Sequence, residues 1–158
     1  MYNRFEVNKR SNRASALHIR YKLATMGLDY VPAEEADGND DLLQSKLSEA
    51  ELLAQMVAEH DRWQAFHESE GWRTATVEQV ETYKQAGLSG GTHKCPLLRL
   101  HPYICDFSEL KTRSEQLGLE DSTVYDRSLI ENIPAILSGK RRGQEKARRG
   151  FQIVERTR

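Results

Sequence analysis

Apolar positions along this chain fall into helical period in several stretches and lose it between them. The clearest run begins at LSEAEL, where Ser48 and Glu51 have capping-box spacing and Leu47 and Leu52 stand where a hydrophobic staple would. Leu52, Leu53, Met56, Val57, His60, Trp63 and Phe66 then keep the three-and-four spacing of one helical face, and Gly71 ends it just before Trp72. A less regular face, made by Leu17, Ile19, Leu23 and Met26, predicts a helix over residues 12–26, capped by Ser11 or Asn12 and closed at Gly27. TVEQVETYKQA predicts a short helix with Thr76 and Gln79 as its cap, Val77, Val80 and Tyr83 on one side and Gly87 as its stop. Asp106 and Glu109 mark another start. Beyond Gly118 and Asp121 a last helix carries Val124, Leu129, Ile130, Ile133 and Leu137 inward, with Pro134 kinking or ending it. LSGGTHK reads as a loop, and CPLLRLHPYIC, apolar but broken by two prolines, predicts at most a brief or edge strand. The expected fold class is mainly α with short extended segments.

Charge changes the picture at both ends. Residues 1–27 form a basic helical segment, and residues 28–47, with PAEEADGNDD, read as an acidic linker. Residues 140–158 read as a basic, partly disordered tail; from Ser138 onward there are eight Lys and Arg against two Glu. That leaves residues 48–139 as the main domain of a 158-residue chain, a length that suits one domain. A net charge of −1 gives no overall pull toward nucleic acid or an anionic surface. No apolar run approaches the roughly 20 residues of a membrane span, so no membrane partner is expected. MYNRFEVNKR has no apolar core of a secretory signal, and two cysteines make no disulfide framework, so the expected location is cytoplasmic.

His93, Cys95, His101 and Cys105 are four zinc-capable side chains in a short span, but their spacing fits no common zinc signature. The competing reading is a buried turn, and no metal or other cofactor is expected. Cys95 or Cys105 with His60, His93 or His101 raises a cysteine hydrolase as an alternative, yet nothing beside either thiol lowers its pKa by an obvious route. Arg73, Lys94 and Arg99 are cations suited to phosphates if they converge, and ordinary solvated surface if they do not. Tyr125 and Asp126 could hydrogen-bond across to the His-Pro turn.

Three motifs, taken in order, resemble one known repeat. AELLAQMVAEHDRWQAFHESEGW is similar to the opening of the ryanodine-receptor repeat, with His60 and Trp63 as its His-x-x-Trp and Gly71 and Trp72 as its Gly-Trp. LRLHPYICDFSEL resembles the middle of that repeat, and VYDRSLIENIPAILSG its last helix. The chain departs from the pattern after Gly-Trp, where RTATVEQVETYKQAGLSGG replaces a shorter basic loop.

The resemblance implies a binding module without catalytic activity. Such repeats occur in tandem pairs in the ion channels, where one pair binds adenine nucleotide. Free-standing bacterial and phage forms bind or sense nucleotide-derived ligands, often in antiviral defence. The expectation is therefore a ryanodine-receptor-repeat-like fold that binds a nucleotide or a nucleotide-derived second messenger, working as a two-fold homodimer. Trp72 is expected to present its ring to a base, with Arg73, Lys94, Arg99, His101, Tyr103, His60 and Trp63 as further ligand-binding candidates. Trp63 and His60 lie on the helical stripe, where a core role competes, and packing competes at Tyr103. The alternative is a protein that binds nucleic acid or recruits a partner through its basic termini.

Overall fold

A computed structural model describes residues 4–35, 41–139 and 150–157. In chain order the elements are α1 (Arg4–Thr25), β1 (Leu28–Pro32), α2 (Leu42–Lys46), α3 (Glu49–Ser69), β2 (Arg73–Thr74) and α4 (Val77–Gln85). After them come β3 (Leu100–His101), α5 (Leu110–Gln116), α6 (Thr123–Glu131), α7 (Ile133–Ser138) and β4 (Phe151–Glu155). The protein is mainly helical, with two small two-stranded sheets among the described residues. No helix among those residues is long and apolar enough to cross a membrane.

The chain divides into two compact units that do not follow the expected boundaries at 27, 47 and 139. One comprises Met1–Ser15 and Val57–Asp126, the other Ala16–Met56 and Arg127–Arg158. The divisions therefore fall inside α1, α3 and α6.

In the first unit the core is Val80 and Tyr83 of α4 with Cys95, Tyr103, Leu110 and Leu117. α4 is held at its start by a complete capping box: Thr76 Oγ1 accepts from the Gln79 N–H (3.2 Å), and Gln79 Oε1 accepts from the Thr76 N–H (2.9 Å). α1 begins at Arg4, well before the expected Asn12. Its added turns have little to bury and instead pair charges, Lys9 with Glu6 at 3.0 Å and Arg10 with Glu70.

The second unit overturns two expectations. The stretch expected as a linker contains β1 and α2, and the stretch expected as a tail contains β4. β1 and β4 pair antiparallel from Leu28 opposite Glu155 to Pro32 opposite Phe151, with Leu28 and Ile153 buried. LDYV and FQIV carry the β-branched and aromatic residues that a pleated surface favours, and the charges around them masked that signal. Residues 140–149, which hold most of the basic tail, lie outside the described residues. The box expected at Ser48 is half made: Ser48 Oγ accepts from the Glu51 N–H at 3.2 Å, while Glu51 Oε1 accepts from Gln55 Nε2 at 2.7 Å. Pro134 does end the last helix, dividing α6 from α7 at Asn132. Val124, expected inward, is exposed, as are Leu17 and Leu53.

Candidate functional site

α3 lines up His60, Trp63 and His67 along one face, because residues three, four and seven apart share a side of a helix. At its end Gly71 takes φ +81°, a left-handed turn that L side chains rarely adopt. The reversal lets the Trp72 N–H donate to the His67 carbonyl at 3.0 Å, so the Trp72 ring folds back beside His67. β2 then runs parallel to β3, with Arg73 opposite Leu100 and Thr74 opposite His101.

These elements assemble a block of aromatic and imidazole rings. Trp63 lies 4.2 Å from His67 and 5.0 Å from His101, the second contact edge to face. His101 also meets Trp72 at 6.0 Å and Tyr103 at 5.8 Å. Edge-to-face geometry sets the positive rim of one ring against the negative face of another, which favours such clusters beyond simple burial. Lys94 Nζ lies 6.0 Å from the centroid of Trp72, within cation–π range.

The histidines are held in different states. His101 Nδ1 accepts from the Tyr103 N–H at 3.2 Å, and burial, with Lys94, His67 and His60 nearby, pushes its pKa down to about 3. His67 is also lowered, first by burial; its Nδ1–H donates to the Trp63 carbonyl at 2.9 Å. His60 behaves oppositely. Burial works against its charge, but its bonds to Asp126 and to the Cys105 carbonyl raise it overall. Its Nε2 donates to that carbonyl at 2.8 Å, and its Nδ1 faces Asp126 Oδ2 at 3.7 Å. Burial raises the Asp126 carboxyl in turn, with the bond to His60 offsetting part of the effect.

Comparisons with protein-family models, curated proteins and solved structures find no match to this chain.

Several expected site residues therefore come together, with the exposure of the two tryptophans the reverse of that expected. Trp72, expected to offer an open ring, is 2% exposed, whereas Trp63, placed by its spacing in the core, is only partly buried. The Gly71 reversal accounts for the exchange, since it turns Trp72 inward onto His67 and His101. His60, His101 and Tyr103 are buried. Arg73 and Arg99 are exposed, and the Arg73 N–H donates to the Arg99 carbonyl at 2.9 Å. Arg99 reaches back so that its Nη1 donates to the Glu70 carbonyl at 2.9 Å, covering the end of α3. A Cβ added at Gly71 would lie 2.8 Å from that nitrogen.

Asp126 binds His60 rather than the His-Pro turn, and Tyr125 is exposed. Cys95 is fully buried in the core, and burial pushes the Cys105 thiol up to about 11, so it is protonated at neutral pH. No group of three or more His, Cys, Asp or Glu among the described residues is placed to hold a metal ion. Sequence reasoning passed over His67, although its place seven residues after His60 on the same stripe was the available signal.

Proposed function

We propose that the first unit is a non-catalytic binding module for a nucleotide or nucleotide-derived second messenger, serving as a sensor or a sequestering protein. The observation that carries this reading is the ring cluster with Lys94 set against Trp72 and the exposed guanidinium-bearing residues Arg73 and Arg99 joined backbone to backbone. Cations so arranged suit the phosphates of such a ligand. Trp72, enclosed by rings, acts by positioning Lys94, and the partly exposed Trp63 is the better surface for a stacked base. The resemblance of residues 48–139 to the ryanodine-receptor repeat supports the same ligand class. It also supports a homodimer, since a single repeat rebuilds a tandem pair by two-fold association. The thiol of Cys105, held protonated by burial, is a poor nucleophile and disfavours the cysteine-hydrolase alternative.

A thermal-shift screen of the full chain against adenine nucleotides, cyclic dinucleotides and ADP-ribose derivatives tests this, with product analysis of every ligand that binds. A shift by at least one nucleotide, its loss in Lys94→Ala and an unchanged ligand are the expected results. Turnover would overturn the non-catalytic reading. A salt-dependent response to DNA alone would move the function to the basic segments.

A further inference from the structure

The turn between Cys95 and Leu100 carries large apolar side chains at its most exposed positions. Cys95 and Leu100 exchange backbone hydrogen bonds of 2.8 and 3.1 Å, and the Arg99 N–H closes the turn on the Pro96 carbonyl at 3.4 Å. Leu97 and Leu98 hold its two corners and remain 74% and 54% exposed. Corners of this kind ordinarily carry Gly, Asn, Asp or Ser, which satisfy the local backbone and face water at no cost. Two adjacent leucines there satisfy no backbone need and leave a convex apolar tip in solvent.

The flank of the tip is cationic. Arg99 closes the turn, and Arg73 on the neighbouring strand bonds directly to its carbonyl; both are exposed. Glu70, whose carbonyl holds Arg99, has its carboxylate in an ion pair with Arg10.

We propose that this turn is a docking tip for an anionic lipid surface, with Leu97 and Leu98 entering the boundary between headgroups and acyl chains while Arg73 and Arg99 meet the anionic headgroups. A convex knob needs a preformed socket on a protein partner, whereas a lipid surface deforms around it. Apolar insertion and cationic contact together give the two signals that stable peripheral attachment requires. Attachment of this sort needs no crossing helix. It departs from the expectation of no membrane partner; it shares Arg73 and Arg99 with the ligand reading, whereas neither leucine takes part in that reading, so the leucine variants test the tip alone.

Sedimentation of the full chain with phosphatidylcholine vesicles, with and without phosphatidylserine, tests the proposal. The protein should co-sediment with the anionic vesicles and not with the neutral ones. The double variant Leu97→Ser, Leu98→Ser should lose roughly tenfold or more in partitioning, because two buried side chains are removed from the lipid contact. Its melting temperature should stay unchanged, both residues being exposed. Absence of wild-type binding to anionic vesicles would overturn the proposal, as would equal binding by the double variant. A dimer that becomes monomeric in the double variant without lipid would assign the leucines to a second copy instead, and would overturn it equally.

Discussion

Burial beside Lys94, His67 and His60 keeps the His101 ring neutral in the folded protein down to about pH 3. The unfolded chain takes up this proton near 6.5, so between those values the native state binds fewer protons and stability falls as pH falls. His67 acts in the same direction, and His60 in the opposite one: its contribution is present below the unfolded value and is lost as pH rises through its raised folded value. His101→Asn keeps an oxygen able to accept from the Tyr103 N–H and removes the titration. Urea unfolding between about pH 4 and 6 should then show a slope shallower by about 1.4 kcal/mol per pH unit, and an unchanged slope would refute the assignment. Trp72→Ala should cost roughly 3–5 kcal/mol, as the truncation of a buried ring does. A variant with wild-type stability and weakened ligand binding would restore the open-ring role. The spacing of His60, Trp63 and Trp72 revealed that they belong together. It did not reveal which ring faces water, because that depends on the Gly71 reversal and on β3 arriving from about 30 residues further on.

Among the elements, those signalled by local chemistry were legible and those formed by distant pairing were not. Thr76 with Gln79, Gly27, Gly87 and Pro134 act on their own neighbours, and α4 and the division of α6 from α7 follow directly. β1 and β4 have no turn between them, so nothing near either strand announces the other. Just before β4 the backbone passes close to α7, so that a Cβ added at Gly150 would collide with the Ser138 carbonyl oxygen at the end of that helix. Since α7 and β4 pack in one unit, Gly150→Ala must push one of them away. A loss of about 1–3 kcal/mol or more is expected from such overpacking, read by thermal unfolding; an unchanged midpoint would show that the approach is slack.

For the whole molecule, the expected domain at residues 48–139 cuts across both compact units. A fragment with those bounds keeps Leu52, Met56, Ile130 and Ile133, which are buried in the second unit, but lacks Leu28, Leu43 and Ile153 of that same unit. Such a fragment should bind an apolar dye and aggregate where the full chain does not. A soluble fragment with native-like melting and no dye binding would show that residues 48–139 stand alone. The sequence pattern misled here because helical period continues without pause through α3, and a continuous helix hides a boundary that falls within it.

The pairing of β1 with β4 also orders events during synthesis. Leu28–Pro32 is synthesised roughly 120 residues before Phe151–Glu155, an interval on the order of ten seconds at ~5–20 residues per second. Through that interval the nascent chain carries an orphan strand with Tyr30 and Val31 on it, and closing so long a loop is the slowest contact its topology demands. A pause in translation before residue 150 therefore prolongs the period in which this strand is open to pairing with another chain.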